Sequence, residues 1–333
     1  MIPAELEKQV NHIKKVSTDE YSSSCPKCGG SVHTDGALPD RFRIFLRSKT
    51  TGDVMGWCRQ CSYTWFPDAS TTGLEPGPTQ EIIEKRKAAA RKMEQDQIDT
   101  FLQNIERLQK DAPWVAYQKD LQGEPAALDM FHDRGIDEEF WFEYWQLGYC
   151  PRKAYSFQGK LHYSPSLTIP LMASVTREVF NIRHRLLAPV DPGDKYRPDR
   201  KGLPSGLFLC DLDRPLEGKC LIVEGEFKAM TTYLKIQDPD LHVVGIPGKK
   251  PHERMLRKLD KCDPVYICMD PDAYFSSNGS ITAIERLIQI INARGKGRAR
   301  VMQVPGKIDD LISDGYLGEI ELRALLKTAR VRI

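Results

Sequence analysis

The chain has 333 residues, with 48 Lys and Arg against 46 Asp and Glu for a formal charge of +2, and 41% of it is hydrophobic. At roughly 100 to 200 residues per domain this predicts a soluble globular protein of two or three domains. No apolar run approaches the ~20 residues that cross a bilayer, and the opening MIPAELEKQVNHIKK has no secretory h-region. Both features speak against a membrane partner and for a cytoplasmic chain, and the small net charge leaves nucleic acid open, because local basic stripes can balance acidic clusters.

Residues 1–67 hold two C-x2-C pairs, Cys25 with Cys28 and Cys58 with Cys61, among short alternating stretches that predict strands. Four thiolates in a tetrahedron satisfy a structural zinc ion and leave no open position. This predicts a zinc ribbon in a reducing compartment. Arg43, Arg47, Trp57 and Arg59 interleave cations with aromatic rings on it, the combination that grips phosphates and stacks bases of a single strand. The other five cysteines, Cys150, Cys210, Cys220, Cys262 and Cys268, stand singly in apolar contexts and read as small core residues.

A Pro/Gly/Ser/Thr-rich linker covers Pro67 to Pro78, and residues 79–110 carry helix formers at helical spacing, as one long helix or two short ones. Helical segments from Trp114 to Tyr149 and the strand-like SLTIPLM, REVFNIRH and GLFLC predict a mixed α+β subdomain over 113–217. From Gly218 onward, apolar runs alternate with amphipathic helices, which predicts a parallel α/β sheet whose functional edge lies at the carboxyl ends of its strands. Glu224, Asp270 and Asp272 fall at that edge, with Asp309 and Asp310 following in KIDDL. Carboxylates gathered there repel one another unless hard divalent cations, magnesium or manganese, bind among them. The fold class is thus multidomain α+β and α/β, with segments 1–67, 68–112, 113–217 and 218–333.

The motifs IVEGEFKAM, CMDPDA and VPGKIDDLISDG resemble, in order, the three acidic motifs of a TOPRIM domain, the metal-binding module of DnaG-type primases, topoisomerases and some nucleases. Upstream, MFHDRGIDEEFWFEYWQLGY, SLTIPLMASVTREVFNIRHRLL and GDKYRPDRKGLPSGLFLCDL resemble the polymerase core of such primases. With a four-cysteine ribbon in front, the chain resembles a DnaG-like primase of phage or mobile-element type. No GxxxxGK[ST] loop is present, so the resemblance implies a separate replicative helicase as partner.

The resemblance implies synthesis of RNA primers from NTPs on a single-stranded DNA template, with two magnesium or manganese ions about 4 Å apart. Asp270, Asp272 and Asp310, with Asp309, would hold them, and Glu224 would be either a further ligand or the proton acceptor. Arg183, Arg185, Lys195, Tyr196, Arg197, Arg200 and Lys201 would face template and nucleotide. Lys228 departs from the family, which places Asp there, and joins that basic set. Two alternatives remain open: a DNA- or helicase-binding module with a degenerate site, or a TOPRIM nuclease.

Overall fold

The computed structural model describes residues 2, 4–10, 13–28, 42–46, 54–58, 61, 63–65, 80–249, 251–275, 281–293, 295 and 297–331. Arg47, Arg59 and the Pro67 to Pro78 linker lie outside them. The chain divides into two compact units, 1–92 and 93–333.

In the first unit, α1 (Ala4–Glu7) precedes β1 (Lys14–Ser17), β2 (Glu20–Ser23), β3 (Phe42–Phe45), β4 (Met55–Cys58) and β5 (Thr64–Trp65). The strands form a five-stranded sheet in sequential order, each antiparallel to its neighbour. Side chains alternate between faces along a strand. Phe42 and Ile44 therefore enter a small core with Leu6, Val10 and Trp65, while Arg43 turns outward. Gly56 lies under the Phe42 ring, where a Cβ would sit 2.2 Å from Cζ.

Residue 92 falls within α2 (Gln80–Asp111), a single helix of 32 residues. The second unit continues with α3 (Pro113–Gln122), α4 (Pro125–His132) and α5 (Glu139–Tyr144). Proline opens both α3 and α4, where its missing N–H is no loss. Four antiparallel strands follow in sequential order: β6 (Gly148–Phe157), β7 (Lys160–Met172), β8 (Val179–Leu186) and β9 (Tyr196–Pro198). β6 has no counterpart among the strands expected from the sequence. It is closed to β7 by Gln158 and Gly159, both at positive φ (47° and 77°), the backbone of a tight hairpin turn.

The rest of the unit is β10 (Phe208–Leu209), β11 (Gly218–Glu224), α6 (Glu226–Ile236), β12 (Leu241–Ile246), α7 (Glu253–Leu256), β13 (Cys262–Cys268), α8 (Ala283–Asn292), β14 (Ala299–Val301), α9 (Ile308–Ser313), α10 (Glu319–Thr328) and β15 (Arg330–Val331). The sheet runs β10-β12-β11-β13-β14-β15. Its four central strands are parallel, as expected, but β10 and β15 pair antiparallel at the two edges, so the sheet is mixed. β10 falls in the strand-like GLFLC expected within the 113–217 subdomain, yet it pairs with β12 and so belongs to this sheet, while two-residue β15 carries no alternation that a sequence pattern can register. One contiguous core joins Leu167, Ile169 and Leu171 of β7 to Leu221, Ile222 and Val223 of β11, and it also takes in Cys210, Cys220, Cys262 and Cys268.

Candidate active site

β11 ends at Glu224, and the chain must then reverse into α6 within one residue. Gly225 makes that turn at φ 89°, a region that costs side-chain-bearing residues strain. The turn passes so close to β12 that a Cβ on Gly245 would lie 2.7 Å from the Gly225 carbonyl oxygen. β13 delivers Asp270 and Asp272 beside it, and one carboxylate oxygen each from Glu224, Asp270 and Asp272 lies within 4.8 Å of the others. Two unit charges at such a distance repel by roughly 3 kcal/mol at an effective dielectric constant of about 20. Burial, and then the neighbouring Asp270, push the Glu224 carboxyl above its ordinary range. Two lysines oppose that repulsion: Lys228 Nζ donates to Asp270 Oδ2 at 3.1 Å, and Lys249 pairs with Asp272.

The first turn of α6 sends successive side chains about 100° apart, so each meets a different partner. Glu226 is buried and accepts a hydrogen bond from Arg183 of β8, whose guanidinium also lies 4.5 Å from the centre of the Tyr196 ring. Phe227 carries Arg185 at 4.7 Å and Arg134 at 5.9 Å from its ring centre. Arg134 in turn pairs with the buried Asp309. Three arginines are thus held around the helix start that adjoins Glu224, two of them by buried carboxylates. Loss of water around the Tyr196 hydroxyl pushes it up to about 12.

The expected third acidic contribution is not in the carboxylate group. In α9 neighbouring residues point apart, so Asp309 turns inward to Arg134 while Asp310 is exposed. Of the basic residues singled out in the sequence, Arg197 is paired with Asp194, and Arg200 with Asp111 and Asp199. Lys195 and Lys201 are exposed and, among the described residues, in no ion pair. Arg134, Glu226, Phe227 and Lys249 belong to the constellation and were not assigned to it from sequence. Their partners lie far away in the chain, and only the fold brings them together.

A buried network fastens the strand that carries Tyr196. His184 Nε2 donates to Asp199 Oδ1 at 3.1 Å, and its Nδ1 lies 2.9 Å from Ser166 Oγ. Tyr117 donates to the same Asp199 oxygen at 3.0 Å. Burial holds His184 below its ordinary value. Burial alone would raise Asp199, but the hydrogen bond from His184 and the Lys153 charge hold its carboxyl well below the usual range.

In the first unit, the thiols of Cys25, Cys28, Cys58 and Cys61 lie within 4.8 Å of one another, with Cys25 to Cys61 at 3.6 Å and Cys28 to Cys58 at 3.7 Å. A tetrahedron with zinc–sulfur bonds of about 2.3 Å has edges near 3.8 Å, so the four cysteines fit a structural zinc ion. Lys27 donates its backbone N–H to Cys25 Sγ at 3.4 Å, the kind of outer contact that steadies a thiolate ligand. Across the sheet, Lys14, Ser22, Arg43, Trp57 and Thr64 occupy one cross-strand row. Trp57 is exposed at 39%, whereas Arg43 is engaged with Glu20 at 3.1 Å.

The carboxylate group also suits a divalent cation. Its donors are hard oxygens, and Glu224 Oε2 is buried with no hydrogen-bond partner among the described residues, an acceptor left for something positive.

No protein-family model matches the chain, and no curated protein does. Solved structures do. The zinc-binding and RNA polymerase domains of the Aquifex aeolicus primase superpose with a TM-score of 0.51 at 16% identity, over 98% of this chain and 82% of that one. A DnaG primase catalytic domain bound to single-stranded DNA gives 0.51 at 17% identity, over 71% and 83%. The E. coli primase catalytic core gives 0.50 at 16% identity, over 68% and 80%. The chain has the fold of primase zinc-binding and catalytic domains, the resemblance read from its motifs.

Proposed function

We propose that this chain is a primase, a nucleotidyltransferase that joins NTPs into short RNA primers on single-stranded DNA. The observation that carries the proposal is the gathering of Glu224, Asp270 and Asp272 at the carboxyl edge of a parallel sheet, in a chain whose fold is that of primase domains. The β11–β15 region is then a TOPRIM module, and Glu224, Asp270 and Asp272 hold magnesium or manganese. A cation held there would supply charge neutralisation for a triphosphate and activation of a 3′-hydroxyl. Arg134, Arg183 and Arg185 orient phosphates beside that edge, each already locked by a carboxylate or a ring and so needing little reorganisation. Exposed Lys195 and Lys201 attract the template backbone. In the first unit, zinc shapes the sheet, and Trp57 stacks a template base. A separate helicase supplies the single strand. The likeness to a DnaG primase domain solved with single-stranded DNA supports that choice of template.

The test is incubation of zinc-loaded protein with a mixed-sequence single-stranded template, labelled NTPs and magnesium or manganese. Products of a few nucleotides are expected, and Asp270→Ala should lower their yield at least about a hundred-fold, the scale of losing one electrostatic stabiliser. A second reading, a module that binds DNA without synthesis, draws on the Lys228–Asp270 ion pair, which occupies a carboxylate the chemistry needs. Template binding without product, with or without a replicative helicase, would favour it.

A further inference from the structure

Lys228 occupies an unusual place for a cation. It is the third residue of α6, in the first turn, where the helix dipole and the unsatisfied N–H groups favour negative charge. Its Cβ is tilted back toward the helix start, and its Nζ reaches Asp270 Oδ2 at 3.1 Å, with the two side chains only 15% and 13% exposed. Lys249 pairs with Asp272 on the open side, at 34% and 67% exposure, where solvent and salt screen the contact. Three carboxylates against these two ammonium groups leave the cluster a formal charge of −1. A divalent cation arriving alone meets a weakly negative site and competes with an ammonium that is covalently tethered beside it.

A triphosphate changes that competition, because its oxygens are strong acceptors for a lysine ammonium. Resting on the primase reading for the site and its substrates, we propose that Lys228 couples the two ligands. The triphosphate draws the Lys228 ammonium off Asp270, and the released carboxylate then takes the cation. The site therefore loads its metal with the nucleotide rather than ahead of it. Lys228, absent from the family pattern at this position, is by this account a binding residue and not a mark of a lost site.

The test measures two affinities in the full chain: Mn2+ without nucleotide, by electron paramagnetic resonance, and a fluorescent non-hydrolysable ATP analogue without metal. Lys228→Met should bind Mn2+ on the order of ten-fold more tightly than the unaltered protein and the metal-free analogue several-fold more weakly, within the usual range of coupling between sites. Lys228→Arg, which keeps the charge, should leave Mn2+ affinity within about two-fold. If Lys228→Met folds poorly, Lys228→Gln should shift both affinities in the same directions. Unchanged Mn2+ affinity, or unchanged analogue affinity, in the neutral variants overturns the proposal while leaving the primase reading intact. No Mn2+ binding at millimolar concentration by either the unaltered protein or the variants overturns both, and Asp270→Ala serves as the reference for that outcome.

Discussion

Glu226 opens helix α6, Arg183 lies on strand β8, and the two meet in a nearly dry contact, with side chains 2% and 16% exposed. Removing one member of such a pair leaves the other charge buried and uncompensated, which costs about 3 kcal/mol or more. Glu226→Ala is accordingly expected to lose about that much in urea denaturation and to raise the apparent KM for template or nucleotide by releasing Arg183. An unchanged midpoint would mean that solvent screens the pair. Lys249→Ala should cost under about 1 kcal/mol by the same measurement, because its partner is mostly in water. At this scale, the sequence exposes residues whose role follows from local position. Glu224 and Asp270 end apolar runs, and the cysteines stand in pairs. It hides Arg134, Glu226 and the inward turn of Asp309, since each depends on a partner dozens of residues away or more.

At the level of elements, the β11–α6 turn depends on two glycines that face each other. A side chain at Gly245 would press on backbone, which has no room to yield, so Gly245→Ala should destabilise the second unit by about 1 to 3 kcal/mol in the same denaturation assay. The network that ties β8 to the end of β9 gives a pH dependence with a definite sign. His184 is held neutral in the folded state, so its contribution is complete above the unfolded value of about 6.5 and declines as pH falls through it, because the unfolded chain takes up the proton first. Asp199, depressed in the folded state, adds a further loss below the unfolded value of about 3.9. The Tm of the second unit should therefore fall between pH 7.5 and 5.5 and fall further toward pH 3. A flat profile would sink this account of the network. The parallel strands β11, β12 and β13 were legible because burial on both faces writes a continuous apolar run. β6 was not, because its exposed middle alternates too weakly, and neither was two-residue β15; β10 lies in the strand-like GLFLC, but its membership of the six-stranded sheet depends on pairing with β12, which lies more than thirty residues further on.

On the scale of the whole molecule, the two units rest on different foundations. Among the described residues, the first has a core of seven buried side chains that includes Cys25 and Cys58, small enough that a metal should supply most of its folding energy, while the second has one large core of its own. Calorimetry is expected to show that a zinc chelator abolishes the transition of residues 1–92 and leaves that of 93–333 within a few degrees; loss of both would mean that the second unit depends on the first. One further consequence concerns how such a protein can be altered by recombination. The first turn of α6 spends three adjacent side chains on three different parts of the second unit, Arg183, the Arg134–Arg185 pair and Asp270. Inserting or deleting a single residue there would rotate all three contacts away together. A segment swapped in from another protein would function only if it arrived with matching residues on β8 and after β13. Substitutions at 226, 227 and 228 should therefore be strongly epistatic with those distant positions, and this short turn should be among the least exchangeable stretches of the chain.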